Sequence, residues 1–329
     1  MLALGLLGSP RKNGNSSFLL KSFMEELESK GAVTRLIQVP ELDIKPCQGC
    51  IFCEKNGYCR NQDDDMAREI YPLLRQAEII VAASPMYFYN VTAQLKILID
   101  RSQALWSRRY RLKLADPLAA TRAGVMLSVG ATKGKNLFEG THWTARYFFD
   151  ALSANFSCEM GYRRVENPGD LKKLPEVPAE VRAEAAKLDP LFNREKILFL
   201  CLENSCRSKM AAAFAGHLAG TRVEVLSAGS KPAAAADPVM REAMAEKGID
   251  LFLDAPRSIG DALARIKPDK IVTMGCAEDC PYVPGAEIIR WDIRDPKGQG
   301  PEVMRAVRDE IEEKVRALTG APGRPADIR

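Results

Sequence analysis

The sequence predicts an α/β protein built from two doubly wound parallel sheets. Three observations carry that expectation. Short apolar runs alternate with amphipathic helical stretches, the alternation lapses once before restarting, and 329 residues is long for a single compact domain. Apolar residues make up 46% of the chain, enough for two cores, and the net charge of +4 is spread out rather than gathered into basic blocks, so nucleic acid is not an expected partner.

In order from the N-terminus, "LALGLLG" is a buried-strand run, and "SSFLLKSFMEELESKG" sets Leu19, Leu20, Phe23, Met24 and Leu27 on one helical face with Gly31 as its stop. "AVTRLIQV" follows as a strand, then a cysteine-rich loop, then a helix that Asp63 to Asp65 can cap. Strand "AEIIVAAS", helix "TAQLKILIDRSQAL", strand "AGVMLSVGA", helix "TARYFFDALSANF" and a strand near "CEMGYRRV" complete residues 1–166 as five strands with intervening helices. Residues 167–195 are rich in proline, lysine and glutamate and read as a partly helical linker. The alternation restarts with "KILFLC" and runs to the helix "EVMRAVRDEIEEKVRALTG", giving a second, smaller domain over 196–320 and a tail, 321–329, that reads as disordered.

The opening "MLALGLLGSPRKNG" lacks a basic region before its apolar run and breaks at Gly8 and Pro10, so it reads as a strand and not a signal peptide. No apolar stretch approaches a bilayer span, so a cytoplasmic protein without a membrane partner is expected. There, nine cysteines point to metal or redox chemistry.

The sharpest motif is "CLENSCR". Cys201 and Arg207 bound a five-residue loop at a strand-to-helix turn, where backbone N–H groups converge at the positive end of a helix. The arginine adds a planar fork for a tetrahedral oxyanion, and the same field favours thiolate over thiol at Cys201. Asn204, Ser205 and Ser208 supply the polar lining. A bare CX5R is usually a strand end with an exposed arginine. This one sits between a clear strand and a clear helix, and so predicts attack on phosphorus or on an element that imitates it.

"FLCLENSCRSKMAAAF", "SAGSKP", "MREAMAEKGID", "IVTMGCAEDCPYVPG" and "WDIRDP" resemble the low-molecular-weight protein tyrosine phosphatase family, most of all its thioredoxin-coupled arsenate reductases. The resemblance covers roughly Lys196 to Gly320 and implies a four-stranded sheet. It also implies a relay in which Cys201 attacks arsenate, Cys276 attacks the Cys201–arsenic adduct and releases arsenite, and Cys280 resolves the Cys201–Cys276 disulfide. Asp295 in "RDP" is the candidate general acid. Lys297 follows the Asp-Pro where phosphatases of this fold usually carry an aromatic residue, which weakens a phosphotyrosine reading. Family loops often have Thr-Gly where Leu202 and Glu203 stand, so Glu203 is expected to point away from the anion. Cys206 reads as a packed thiol.

In the first domain, "GSPRKNGNSS" suits one phosphate monoester better than a pyrophosphate, for which GxGxxG would be expected. "SPMYFYNVTAQLK" follows a strand end and can border a flat ring, and "SVGATKG" follows another. Together these resemble the NADPH-dependent FMN reductase family of flavodoxin-like proteins over about Met1 to Arg164. The resemblance implies that Ser9, Arg11, Asn15, Ser16 and Ser17 cradle the FMN phosphate and that Pro85, Met86, Tyr87, Phe88 and Asn90 line the flavin. NADPH or NADH would be the hydride donor, and subunits would pair around the flavin as a homo-oligomer.

"PCQGCIFCEKNGYC" spaces Cys47, Cys50, Cys53 and Cys59 as CxxCxxCx5C. Four thiolates packed this tightly can wrap a [4Fe–4S] cluster, and the segment resembles the cluster loop of iron–sulfur flavoproteins. A zinc site fits the short spacings less well, and a redox dithiol drawn from two of these cysteines is the other option. Cys158, His142 and His217 read as structural residues.

The combined expectation is an arsenate reductase joined to a flavin module that supplies its electrons, with thioredoxin or a similar thiol as the alternative reductant. Two other readings remain: a tyrosine phosphatase regulated by a flavin domain, and a non-enzymatic redox sensor or oxyanion binder.

Overall fold

The computed structural model describes residues 1–275 and 281–321, in two compact units: Met1–Lys113 with Thr121–Asn193, and Leu114–Ala120 with the chain from Arg194 onward.

The first unit runs β1 (Leu2–Leu7), α1 (Asn15–Ser29), β2 (Val33–Gln38), α2 (Phe52–Asn56), α3 (Tyr71–Gln76), β3 (Ile79–Pro85), α4 (Ala93–Arg101), α5 (Gln103–Tyr110), β4 (Ala123–Gly130), α6 (Glu139–Ala151), β5 (Asn155–Arg163), α7 (Val177–Ala186) and α8 (Asp189–Phe192). All its strand pairs are parallel, in the order β2-β1-β3-β4-β5. Strands β1 and β4 are buried throughout, as continuous apolar runs must be when helices cover both faces of a sheet. The α1 face buries Leu19, Leu20, Phe23, Met24 and Leu27, the residues its spacing selects. Gly31, at φ +97°, then releases the chain through the left-handed region.

Three sequence expectations are corrected here. The stretch "TAQLKILIDRSQAL" forms two helices, α4 and α5, interrupted at Ser102, whose hydroxyl bonds back to the Leu98 carbonyl at 3.1 Å. Asp64 accepts from the Ala67 N–H at 3.2 Å, but the first turn after it is a π-type segment, Met66–Ile70, before α3 begins. Most of 167–195 is not a free linker. Through Asn193 it belongs to the first unit, and Leu171, Val177, Val181, Ala185 and Leu188 are buried in its core, with α7 packed on α1. The proline and charge content concealed an i, i+4 apolar stripe at 177, 181 and 185.

The second unit contains β6 (Glu195–Cys201), α9 (Arg207–Ala219), β7 (Val223–Gly229), α10 (Pro238–Glu246), α11 (Ile259–Leu263), β8 (Lys270–Met274), β9 (Glu287–Arg290) and α12 (Pro301–Thr319). Its parallel sheet has the order β7-β6-β8-β9. The segment Leu114–Ala120 is part of this unit: Ala115 N–H donates to the Gly248 carbonyl at 2.6 Å and its carbonyl accepts from Asp250 N–H at 2.9 Å. Gly216 on α9 has no room for a side chain there, since a Cβ would stand 2.9 Å from the Pro117 carbonyl oxygen.

In each sheet the order reverses direction once, between β1 and β3 and between β6 and β8. Crevices beyond the carboxyl ends of strands at such reversals are where open α/β sheets bind ligands. Among the described residues no helix is long and apolar enough to cross a membrane.

Candidate functional site

At the β6/β8 reversal, Cys201 ends β6 and Arg207 opens α9, so the intervening loop wraps the helix N-terminus. The loop carbonyls are taken up from behind: those of Cys201, Leu202, Glu203 and Ser205 accept from the N–H groups of Ser230, Lys231, Ala233 and Asp237 at 2.8–3.3 Å. With its carbonyls turned outward, the loop has its N–H groups left to face inward. Asn204 takes a left-handed φ of +50°, which asparagine tolerates better than most residues. Gly229 of β7 lets the loop lie close, because a Cβ there would meet the Leu202 carbonyl oxygen at 2.7 Å.

Cys201 is buried, 3.0 Å from Ser208 Oγ, and its sulfur accepts from Asn204 N–H at 3.3 Å. Asn204 Nδ2 donates to Ser208 Oγ at 2.8 Å, while its Oδ1 accepts from Arg257 N–H at 2.9 Å. Ser205 and Arg207 are buried as well. The guanidinium of Arg207 donates through Nη1 to the Ile293 carbonyl at 3.1 Å and through Nη2 to Asp295 Oδ2 at 2.6 Å. The five candidates Cys201, Asn204, Ser205, Arg207 and Ser208 therefore surround one loop, and Asp295 stands at its arginine.

Glu203 turns away from the loop interior, and both its carboxylate oxygens take Lys297 Nζ, at 2.7 and 2.6 Å. Cys206 packs in the core, and burial pushes its thiol up to about 12. Cys276 and Cys280 lie outside the described residues. Gly275, just before them, has φ +78° and a Cβ there would stand 3.1 Å from Arg207 Nη1.

Sequence reasoning missed Lys209. It is fully buried on α9, its Nζ pairs with Asp254 Oδ2 at 2.9 Å and donates to the Ala255 carbonyl at 2.9 Å, and burial pushes its amine below the ordinary value. It thereby fastens the segment from which Arg257 holds Asn204. A lysine within an otherwise alanine-rich buried helix was the available signal.

At the β1/β3 reversal of the first unit, the turn after β1 delivers Ser9, Ser16 and Ser17 as buried side chains at the start of α1, whose N-terminus no side chain caps. Ser17 Oγ is buried with no hydrogen-bond partner among the described residues, so the turn fits an anionic oxygen. Arg11 is exposed on the same turn, its N–H bonded to Ser9 Oγ at 3.2 Å. Asn15 departs from expectation: its side chain donates to the Asn167 carbonyl at 2.8 Å and accepts from Gly169 and Leu171 N–H at 3.1 and 3.3 Å. Its amide holds the 167–171 turn, which leaves only its backbone to the helix start.

After β3, Tyr87 and Asn90 exchange backbone hydrogen bonds at 2.9 and 3.0 Å around Phe88 and Tyr89, both at positive φ. The tight turn pushes three aromatic rings outward, and Phe88 is fully exposed at 103%. Pro85 ends the strand, Met86 N–H is held by the Val129 carbonyl at 2.8 Å, and Asn90 Oδ1 accepts from Val91 N–H and Thr144 Oγ1. Tyr89, within the ring-bordering stretch but not among the residues the resemblance assigned to the flavin, has its hydroxyl against Gly134.

Cys47, Cys50, Cys53 and Cys59 line one cavity of about 450 Å³. Cys47 and Cys50 are exposed, and Cys53 and Cys59 are half-buried. Burial raises the Cys53 thiol against the opposing bond from Ser107 Oγ at 3.5 Å. Among the described residues no three histidine, cysteine or acidic side chains stand together as a ready-made ion site, although the donor set is one that suits soft metals. The loop ends are pinned by a buried pair: Arg101 binds the Lys45 and Asn61 carbonyls and Asp64, while Asp64 also accepts from Lys45 and Ala67 N–H.

Comparison with known proteins also finds two parts, the second beginning close to where the second unit does. Residues 1–139 match the NADPH-dependent FMN reductase family and residues 196–324 match the low molecular weight phosphotyrosine protein phosphatase family. An iron-sulfur flavoprotein of Archaeoglobus fulgidus is 41% identical over 101 residues, 31% of this chain and 45% of that protein. One from Methanosarcina thermophila is 35% identical over 133 residues, 40% of this chain and 65% of that protein. The chain thus spans about half to two thirds of the length of these flavoproteins. Arsenate reductase 1 of Bacillus cereus is 39% identical over 127 residues, 38% of this chain and 93% of that protein. Covering that relative almost end to end, the chain belongs to the low molecular weight phosphotyrosine phosphatase family, on its arsenate reductase side, and the segment ahead of that domain is similar to NADPH-dependent FMN reductases.

Proposed function

We propose that the chain reduces arsenate to arsenite through a thiol relay in its second unit, with electrons supplied by the flavin module of its first. The observation that carries this reading is the Cys201 loop: a buried cysteine that accepts from Asn204 N–H and lies 3.0 Å from Ser208 Oγ, on a loop that ends at an arginine tied to a carboxylate.

Arsenate binds the loop N–H groups and Arg207, and Cys201 attacks arsenic as Asp295 gives a proton to the departing oxygen. Cys276 then attacks the Cys201 sulfur. The S–As bonding pair stays on arsenic, which leaves as arsenite, and a Cys201–Cys276 disulfide forms. Cys280 displaces Cys201 from Cys276, so the oxidising equivalents rest on a Cys276–Cys280 disulfide. Reducing that disulfide takes two electrons, the number carried by one hydride from NADPH. Thioredoxin is the alternative reductant, by analogy with thiol-coupled enzymes.

In the first unit Ser9, Arg11, Ser16 and Ser17, with the backbone of Asn15, hold the FMN phosphate. Pro85, Met86, Tyr87, Phe88 and Asn90 border the flavin. When bound, the flavin accepts hydride and passes electrons on. Cys47, Cys50, Cys53 and Cys59, which line one cavity, would hold a [4Fe–4S] cluster, which would supply one-electron transfer. The exposed aromatic turn at Phe88 supports pairing of two copies around the flavin.

The test is arsenite formation with a dithiol reductant: turnover by the full-length protein and none from Cys201→Ser support the reading, and an active Cys201→Ser protein overturns it.

A further inference from the structure

Two ion pairs join the CX5R loop to the loop after β9. Arg207 meets Asp295 at 2.6 Å, and Glu203 meets Lys297 at 2.6 Å. Their partners lie four residues apart on one loop and two apart on the other. Lys297 N–H also donates to Asp295 Oδ1 at 3.2 Å, so the two bridges share one short stretch of backbone.

On the CX5R loop the Arg207 side chain is 9% exposed and that of Glu203 31%, whereas their partners on the facing loop, Asp295 and Lys297, are equally exposed at 50% and 51%. Cys201, Asn204, Ser205, Cys206 and Ser208 are all buried, so the loop is closed from below and the Glu203–Lys297 bridge stands at its rim. Glu203 places a carboxylate within the element that must hold an oxyanion. Lys297 sets it below the ordinary carboxylate range, and Glu203 in turn raises the Lys297 amine.

We propose that Glu203 and Lys297 form a charge-balanced gate over the oxyanion loop that admits a free inorganic oxyanion and disfavours a phosphate or arsenate ester. On this proposal a free tetrahedral anion stays below the rim, on the loop N–H groups and Arg207. An ester must carry its organic group out past the rim and part the two side chains. Lys297 therefore acts through Glu203, as a positioning residue. The proposal rests on the oxyanion reading of this loop and concerns its choice of ligand.

The experiment uses the full-length protein, with Lys297→Met, Glu203→Gln and the double variant. Protection of Cys201 from iodoacetamide by inorganic phosphate, normalised to the rate without phosphate, gives an apparent Kd, and p-nitrophenyl phosphate hydrolysis reports the ester. Lys297→Met should weaken phosphate about tenfold, the effect of one uncompensated charge close to a dianion near the surface. The double variant should return to within about threefold of the parent, because the carboxylate and its partner leave together. It should also hydrolyse the ester about tenfold faster than the parent, the change expected for about 1.4 kcal/mol. Unchanged phosphate protection in Lys297→Met, no rescue in the double variant, or no gain on the ester would each overturn the gate. Arsenate turnover by the parent is measured alongside. Its absence with the phosphate pattern intact would overturn the reductase reading and leave the gate standing.

Discussion

Arg207 Nη2 donates to Asp295 Oδ2 at 2.6 Å, so the guanidinium that would hold the oxyanion is bound to the side chain that, once displaced and protonated, would give its proton to the departing oxygen. An anion entering the loop competes with Asp295 for that arginine. Asp295→Asn removes the competing charge and the proton donor together. Arsenate turnover should fall about a hundredfold, the low end for loss of a general acid. Inorganic phosphate should bind at least as tightly as in the parent. Steady-state kinetics with phosphate as inhibitor separate the two effects, and weaker phosphate binding would count against this pairing.

Ser208 Oγ lies 3.0 Å from Cys201 Sγ and accepts from Asn204 Nδ2. Ser208→Ala should slow Cys201 alkylation about tenfold, since a hydrogen bond to a charged group contributes about 1.5–3 kcal/mol. It should also lower Tm, because Asn204 keeps a buried donor with no partner. Alkylation rate and calorimetry check the two arms separately.

Cys201 and Cys206 should differ sharply towards electrophiles. Burial pushes the Cys206 thiol up to about 12, so it stays protonated at neutral pH. Iodoacetamide at neutral pH, followed by peptide mass analysis of the native protein, should label Cys201 and spare Cys206. Equal labelling would place the nucleophile elsewhere.

Ser17 separates a binding role from a structural one. Its hydroxyl is buried without a partner, so Ser17→Ala should leave the stability of the flavin-free protein unchanged or slightly higher. FMN affinity should fall about tenfold, one lost hydrogen bond to a charged oxygen. Fluorescence titration measures the affinity and thermal melting the stability.

The buried Arg101–Asp64 pair gives the first unit an acid-sensitive buckle. Burial by itself would raise Asp64, but the Arg101 bond and the Lys45 and Ala67 N–H groups hold it below the usual carboxylate range. A depressed carboxylate contributes stability that is complete above its unfolded value of about 4 and fades as pH falls through the folded one. The parent should lose stability below about pH 4. Arg101→Gln should cost about 3–5 kcal/mol at neutral pH and flatten that slope. Urea denaturation at two pH values tests both.

The two sheets, the Cys201–Arg207 loop and the serine turn were legible in the sequence because each rests on local pattern: an apolar run, a turn and a helix start. What depended on distant partners was not. The sequence did not show that the Asn15 amide bonds to residues 167–171, and the charge of 167–195 hid the stripe that packs α7 against α1. Glu203 was expected to turn away from the anion, but its partner is 94 residues further along the chain. The Arg101–Asp64 pair spans 37 residues, so its partners could not be matched from the sequence.

The most direct test of the account is NADPH oxidation by the anaerobic, FMN-loaded full-length protein on addition of arsenate, with thioredoxin left out. The account predicts arsenate-dependent oxidation matched by arsenite release, and its loss in both Cys201→Ser and Cys280→Ser. Arsenate turnover that begins only when thioredoxin is supplied would contradict it, and would separate the flavin module from the relay.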